Sequence, residues 1–396
     1  MILKRILALA ALLTVLSQNV NAQGEGAPPK WYDTFSLRGY FQVRYNAFQS
    51  NANLGCEQCD KSWNGNSSFY IRRARFIFSG QIGKNVYFYL QPDFATSASG
   101  GLNFGQLKDA YFDIGLDAKN EFRIRLGQTK IPYGFENMQS SSVRVPLDRS
   151  DGINSSFTNE RDLGAFFYWA PKEKRELFKR LVDEGLKGSG DYGIFALGVF
   201  NGQTPNQLDQ NNELYTVARV TWPFETGSQI IESSIQGYTG QFVVPTNQLS
   251  KNIKTAADRT YLDQRVAATF VLYPKPFGIQ AEFNVGKGPE FNKQTDSIEV
   301  QNLKGGYVLM SYMLRKNKQV IMPFVRAQYY DGGKKHELDA RSYKVNDFEF
   351  GVEWQPVEHL ELVGGYTFSR RRYEDLILSD NYQTGNLLRI QAQLSF

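Results

Sequence analysis

The stretch "SSFYIRRARFIFSG" (67–80) places three arginines within four positions, among aromatic and β-branched residues. This composition predicts a β-strand, and successive side chains of a strand point to opposite faces. The two faces then differ in chemistry: Tyr70, Ala74, Phe76 and Phe78 lie on one, and Arg73 and Arg75 on the other. Burying such charges in the core of a soluble protein is costly. A membrane barrel, with lipid outside and water inside, accommodates both faces.

The same alternation recurs along the chain and continues to its last residues. Clear examples are "FSLRGYFQVRYN" (35–46), "NVYFYLQPDFA" (85–95), "EFRIRLGQ" (121–128), "FEFGVEWQ" (348–355) and "LLRIQAQLSF" (387–396). Lipid-facing and lumen-facing residues alternate in outer-membrane barrels, so a mean hydropathy of −0.43 is compatible with a membrane protein of this type. A water-soluble sandwich could give one or two such strands. It would not repeat charges on the second face in so many of them.

Connections between the candidate strands alternate in length. Short ones rich in Gly, Pro, Asn or Asp alternate with longer polar stretches, which are 48–67, 132–161, 242–260, 288–304, 332–343 and 372–383. Short turns at one end and long loops at the other are typical of an outer-membrane barrel with both termini in the periplasm. We therefore predict an all-β fold, a transmembrane antiparallel β-barrel of about 16 strands over residues 35–396.

One connection breaks this rule. The stretch "PKEKRELFKRLVDEGLKGSGD" (171–191) should be a short periplasmic turn by its place in the order, but it is long. Part of it, "KEKRELFKRLVDEG" (172–185), could form a short helix. Either the strand count is wrong at this point or the turn is elaborated.

The N-terminal residues predict the compartment. Two cations precede the apolar run "ILALAALLTVL" (6–16), and "VNA" (20–22) offers a cleavage site of small residues. This predicts a secretory signal peptide over residues 1–22, because the run is too short for a membrane-spanning helix. A short periplasmic segment, 23–34, would then precede the barrel. We expect export with cleavage of the signal peptide and insertion among the lipids of the bacterial outer membrane.

Four stretches of the chain carry a resemblance to a known family. They are "LRGYFQVRY" (37–45), "FYIRRARFIFSGQIGKNVYFYLQPDF" (69–94), "LKDAYFDI…FRIRLGQTKIPYGFE" (107–136) and "NERDLGAFFYW" (159–169). In this order they resemble the phosphate-selective porin O/P family of bacterial outer membranes. The resemblance covers most of the chain and is strongest in its first half. It implies a 16-stranded porin that assembles as a homotrimer, and it does not assign the solute.

The long connection 132–161 follows the fifth predicted strand, which makes it the third loop at that end of the barrel, and it has a distinct composition. It mixes charges of both signs with small residues, and its charged members are Glu136, Arg144, Asp148, Arg149, Asp151, Glu160 and Arg161. In similar porins the third loop folds into the lumen and narrows it. Long structured loops are usually functional, so we expect an inward-folded constriction loop here; an ordinary exposed loop is the alternative.

Cations on the predicted inner faces form a second group of candidate residues. They are Arg38, Arg44, Arg73, Arg75, Arg123, Arg125 and Lys130. Arranged along one wall, they would concentrate anions and lower their entry barrier. Alternatively they pair with Asp93, Asp109 and Asp113 on neighbouring strands. Four inward acids on the opposite arc, Glu282, Glu349, Glu353 and Glu361, would oppose an anion preference, so we expect that preference to be modest.

Other chemistries find little support. There are only two histidines, which leaves a zinc site or a histidine-based nucleophile incomplete, and we expect no enzyme activity, metal or cofactor. A net charge of +5 is too mild to indicate a nucleic-acid partner. Cys56 and Cys59 in "CEQC" are candidates for a disulfide in an oxidising compartment. A redox motif would need a thioredoxin-like βαβ context, and a metal site would need two further ligands.

Two functional hypotheses remain. The first is a porin for passive diffusion of small anionic or neutral hydrophilic solutes, with a modest preference for anions such as phosphate. The second is a non-conducting structural or adhesive barrel that displays its extracellular loops. Single-channel conductance in a planar bilayer distinguishes them.

Overall fold

The structure, a computed structural model, describes residues 34–48, 67–94 and 105–396. The predicted signal peptide, nearly all of the segment 23–34, and both cysteines, Cys56 and Cys59, lie outside the described residues.

Strands dominate the described residues and join into a single sheet. They are β1 (Ser36–Phe48), β2 (Ser68–Ile82), β3 (Val86–Asp93), β4 (Gln106–Gly115), β5 (Phe122–Lys130), β6 (Arg161–Trp169), β7 (Phe195–Phe200), β8 (Tyr215–Thr226), β9 (Gln229–Val243), β10 (Thr260–Leu272), β11 (Phe277–Asn292), β12 (Ser297–Tyr312), β13 (Leu314–Lys316), β14 (Gln319–Gly333), β15 (Ser342–Val357), β16 (Leu360–Glu374) and β17 (Tyr382–Ser395). Each pairs antiparallel with its neighbours, and β1 pairs with both β2 and β17, which closes the sheet.

The barrel has sixteen strand positions, because β12 and β13 are one strand interrupted at Met313. Both pair with β14, and the Met313 backbone N–H instead donates to the carbonyl of Pro276, at 2.7 Å. The predicted class, a closed antiparallel barrel of about 16 strands, is confirmed.

The outer face is apolar and the inner face is polar, as the alternation predicts. Large apolar side chains that remain exposed on the outside include Phe41, Phe76, Leu90, Phe112, Phe122, Phe348, Phe350, Val352, Trp354, Ile390 and Leu394. The intervening residues are buried inside, for example Gln42, Arg44, Arg123, Glu349 and Arg389. An apolar band of this kind is what a lipid bilayer requires of a barrel wall.

Tyr70 lies on the other face from the one predicted. The pairing of β1 with β2 shifts register between Gln42 and Val43, so Arg72 is an extra residue in the ladder. Such a bulge reverses the alternation beyond it. The ring of Phe69 therefore packs outside against Tyr45, at 4.7 Å between centroids, and the hydroxyl of Tyr70 accepts a hydrogen bond from inward-facing Asn46.

A predicted long loop at 288–304 is wrong. β11 and β12 pair along their whole lengths, to the pair Asn292 and Ser297, and leave only residues 293–296 as a turn. Near the turn, polar residues such as Asn292, Lys293, Gln294 and Asp296 hide the alternation, while the backbone pairing continues.

Within the part of the chain that the structure describes, three α-helices lie in the connections: α1 (Phe135–Met138), α2 (Asp151–Asn154) and α3 (Lys172–Asp183). α3 occupies the connection that broke the length rule, so the strand count holds and the turn is elaborated. It follows Pro171, whose fixed φ suits a helix start, and it buries Leu177, Phe178 and Leu181 on one face. Among the described residues, no helix is both long and apolar enough to cross a membrane.

Part of the barrel interior is a packed apolar core. One cluster joins Phe135, Val145, Leu147 and Ile153 from the connection after β5, Leu177, Phe178, Leu181 and Leu186 from the connection after β6, and Val271, Leu309, Met322, Phe324 and Val363 from the wall. The interior is therefore not uniformly wet, which alternation alone did not predict.

The two faces of the wall predict opposite responses to a new charge. Leu126→Arg places a cation in the apolar band and should destabilise the barrel by about 2–4 kcal/mol if the site is near the bilayer midplane. Tyr87→Arg is the matched control, because Tyr87 lines the lumen cavity. It lies at a height similar to that of Leu126, since Tyr87 and Arg125 both pair with Asp113 of β4. Reversible unfolding from lipid vesicles measures both, and a larger loss for Tyr87→Arg would invert the assignment of faces.

Candidate functional site

The connection after β5, residues 131–160, is named here the inner loop. Most of it is buried, and Tyr133, Phe135 and Glu136 are fully so. Glu282 on β11 accepts hydrogen bonds from the backbone N–H groups of Phe135, at 2.6 Å, and Glu136, at 2.9 Å. Arg326 on β14 donates to the Glu136 carboxylate at 3.1 Å. The inner loop is thus bound to wall strands far from β5.

Two acids of the inner loop bind four wall or loop cations. Asp148 contacts Arg44 of β1 at 3.2 Å and Arg389 of β17. Burial alone would raise the pKa of the Asp148 carboxyl, but these guanidiniums outweigh it and hold the pKa well below its usual range. Asp151 contacts Arg371 of β16 at 3.0 Å and Lys334 at 2.5 Å. The inner loop is therefore fixed across the lumen by charge-assisted hydrogen bonds.

The other charged residues expected in this loop hold its own turns together. Arg149 donates to the Glu160 carboxylate at 2.8 Å and to the carbonyl of Glu136 at 3.0 Å. Arg161 is the first residue of β6 and binds Asp109 at 2.9 Å. Arg144 donates to the carbonyls of Pro146 and Leu147.

Four cations that bind carboxylates of the inner loop were not among the predicted site residues: Arg326, Arg371, Arg389 and Lys334. The first three stand at inward positions of their strands, so the alternation could have identified them. Lys334 lies in the connection after β14. No local sequence pattern indicates that this connection runs inward.

The predicted row of cations is arranged along β1, β2 and β5. The register sets Arg75 opposite Tyr40 and Arg73 opposite Gln42, so Arg38, Arg75, Arg73 and Arg44 follow one another from the turn end toward the loop end. Most of the row has carboxylate partners: Arg44 with Asp148, Arg75 with Asp93, Arg123 with Asp191, and Arg125 with Asp113. Arg125 is also covered by Tyr111, whose ring centroid lies 3.9 Å from its guanidinium carbon.

Four of the predicted cations contact no carboxylate among the described residues. Arg38 is exposed in the lumen cavity, and Lys130 donates to the carbonyls of Met138 and Gln139. Arg73 donates one hydrogen bond to Gln42, and its buried Nε has no partner. The buried Nη1 of Arg144 also has no partner. Burial first, and then the charge of Arg149, lower the pKa of the Arg144 guanidinium to about 9. A bound anion would relieve that penalty.

The four acids of the opposite arc are covered or neutralised. Glu282 binds the inner loop, and Glu349 accepts hydrogen bonds from Arg326 at 2.7 Å and Arg389 at 2.9 Å. Glu353 accepts from Lys187 at 2.6 Å, and Glu361 lies 4.0 Å from the same Nζ. All four face inward, as the alternation predicts, and inserted segments contact Glu282 and Glu353 directly.

An open cavity lies against the other arc. A cavity of about 690 Å³ follows β2 to β6, and its lining includes Arg38, Tyr87, Tyr89, Lys130, Arg161 and Tyr192. Four of the seven predicted cations, Arg38, Arg123, Arg125 and Lys130, line this cavity.

A closed sixteen-position barrel with an apolar outside, a charged inside and an inserted loop defines a channel of the bacterial outer membrane. The sequence of residues 41–396 matches the family described as phosphate-selective porin O and P. The chain belongs to this family, and the resemblance inferred from the sequence is confirmed.

Solved structures show the same fold at low identity. The outer membrane channel DcaP of Acinetobacter baumannii is 14% identical with a TM-score of 0.56, over 94% of this chain and 100% of that chain. OmpF of Salmonella typhi, in complex with daunomycin, is 12% identical with a TM-score of 0.55, over 91% and 97%. The anion-selective porin from Comamonas acidovorans is 12% identical with a TM-score of 0.50, over 92% and 99%. No match to a curated protein was found by sequence comparison.

Asp148 provides a test of how the inner loop is held. Asp148→Asn keeps the shape and removes the charge between two buried arginines, which should destabilise the protein by about 3 kcal/mol, the lower end for breaking a buried pair, because Arg389 keeps Glu349. Asp258→Asn is the control, since Asp258 is exposed in the connection before β10. Guanidinium unfolding in detergent micelles measures both, and equal stabilities would contradict the anchoring role.

Proposed function

We propose that this outer-membrane channel conducts small hydrophilic solutes by passive diffusion, with a modest preference for anions such as phosphate. The observation that carries the proposal is the pair of buried guanidiniums, Arg73 and Arg144, which have unsatisfied N–H groups and no carboxylate contact among the described residues. Each is a fixed positive charge with a free donor inside the barrel, which an anion can satisfy.

The charge balance around these two residues supports the same conclusion. On β1 to β6 and the inner loop, ten buried cations stand against eight buried acids. The cations are Arg44, Arg73, Arg75, Lys108, Arg123, Arg125, Lys130, Arg144, Arg149 and Arg161, and the acids are Asp93, Asp109, Asp113, Glu136, Asp148, Asp151, Glu160 and Asp162. In a narrow space with low-dielectric walls, an excess of one sign concentrates the opposite ion. The opposing acids are already paired, Glu349 with wall arginines and the others with the inserted segments, so they reduce this field less than their number suggests.

Phosphate is a reasonable member of the solute class. The planar fork of arginine suits phosphate and carboxylate oxygens, and the family's description names phosphate. The likeness to an anion-selective porin agrees with the proposal, but at 12% identity it supports the fold alone. Assembly as a homotrimer, cleavage of the signal peptide and the absence of enzyme activity stay predictions from the sequence.

The dense packing of the inserted segments favours a second candidate, a non-conducting barrel that serves structure or adhesion. Apolar side chains from two connections fill part of the lumen. Reconstitution in a planar bilayer distinguishes the two functions, because a porin gives discrete current steps and a closed barrel gives none.

The reversal potential in a KCl gradient tests the anion preference. Wild-type channels should favour chloride, and Arg73→Gln with Arg144→Gln should shift the reversal potential toward cations, because two uncompensated charges are lost. Arg370→Gln is the control, since this exposed arginine lies near the loop end of β16. A cation-selective wild type, or a double variant that behaves as the wild type does, would overturn the proposal.

A further inference from the structure

The connection between β6 and β7, residues 170–194, is named here the transverse segment. It leaves β6 as α3, continues past Gly185, and returns to β7. At its far point Lys187 reaches the Glu353 carboxylate on β15, with Nζ–O distances of 2.6 and 2.8 Å, and lies 4.0 Å from Glu361 on β16. In the closed strand order, β15 and β16 lie opposite β6 and β7. The transverse segment therefore spans the full width of the barrel.

This segment lies at the end of the barrel that carries the short turns and the C-terminus. It enters and leaves at the turn ends of β6 and β7, and Glu361 is the second residue of β16, just after a short turn. The inner loop enters from the other end, after β5. The backbone carbonyl of Lys187 accepts a hydrogen bond from Gln139 of the inner loop at 2.6 Å, so the two inserts meet inside the barrel.

The transverse segment divides the lumen into unlike halves. On the side of β10 to β16 its apolar residues Leu177, Leu181 and Leu186 pack into the interior core. On the side of β2 to β6 it lines the 690 Å³ cavity with Gly188, Ser189, Gly190, Asp191 and Tyr192. Solutes at this end therefore meet only the half of the wall that carries the cations.

Ion pairs hold both arms of the segment. The arm near β5 is fixed by Asp191, which binds Arg123 at 2.8 Å and Arg175 at 2.9 Å. The far point depends on Lys187, which is 7% exposed and faces Glu353 and Glu361. Burying a carboxylate away from water costs free energy. The Lys187 ammonium between Glu353 and Glu361 offsets this cost for both acids.

We propose that the transverse segment is a second constriction, on the periplasmic side, and that Lys187 is the positioning residue that holds it across the lumen and keeps Glu353 and Glu361 out of the solute path. Loss of the Lys187 charge leaves two acids that need water. They regain it when the segment withdraws, which opens the acidic half of the lumen. This inference rests on the proposed channel function. It adds the segment that sets the width of the channel and determines which part of the wall solutes contact.

Lys187→Met in planar bilayers gives two linked readouts. Single-channel conductance should rise by about twofold, because roughly half of the cross-section is uncovered at this end, and the anion preference should weaken because two acids join the path. Arg180→Met is the matched control: it removes a cation from the same segment, but its side chain is exposed, pairs with Glu225 at the end of β8 and is not part of the cavity lining. The exchange Lys187→Glu with Glu353→Lys should restore the wild-type conductance.

A double variant keeps the test decisive if Lys187→Met assembles poorly. Glu353→Gln with Glu361→Gln removes the attraction without burying a bare acid, so conductance should rise while the anion preference stays. Wild-type conductance in either assembled variant would overturn the inference. A rise in conductance with a cation-selective wild type would refute the proposed anion preference and leave the second constriction standing.

Discussion

Closure of the backbone ladder is the constraint on which the rest of this structure depends. In lipid, an unpaired N–H or C=O costs several kcal/mol, so a spanning sheet must close on itself. The seam is made by β1 and β17, where Gly39 donates to the carbonyl of Phe396 at 2.9 Å and Phe396 donates back at 3.0 Å. A side chain at position 39 would collide with the ring of Phe396 and the carbonyl of Arg75, so only glycine fits there.

Closure also explains why the interior holds so much charge. Once the outer positions are apolar, every second residue of every strand faces inward, and a sixteen-position barrel encloses more volume than its wall side chains can fill. The inner loop and the transverse segment occupy this space. Their apolar residues form a core with the wall, and their acids and Lys187 neutralise wall groups such as Arg389 and Glu353.

Strand positions and faces were predictable because both follow from a period of two, which any local window of the sequence displays. Tyr70 was placed on the wrong face because a single extra residue, Arg72, is invisible to that period. The site was less predictable. That Asp148 lies between Arg44 and Arg389 depends on the path of a loop through space, and residues so far apart in the chain share no local pattern. The role of Lys187 was not predicted from the sequence for the same reason.

Counting inward arginines overstates their effect on a permeating ion. A guanidinium bound to a carboxylate, as Arg125 is to Asp113, acts at a distance as a dipole, whose field decays faster than that of a charge. Arg73 and Arg144 have no such partner among the described residues and act as whole charges. Pairing therefore divides the cations into those that hold the wall and inserts together and those with no carboxylate partner among the described residues. Under the proposed anion preference, selectivity would follow the second group, whose position the first group fixes.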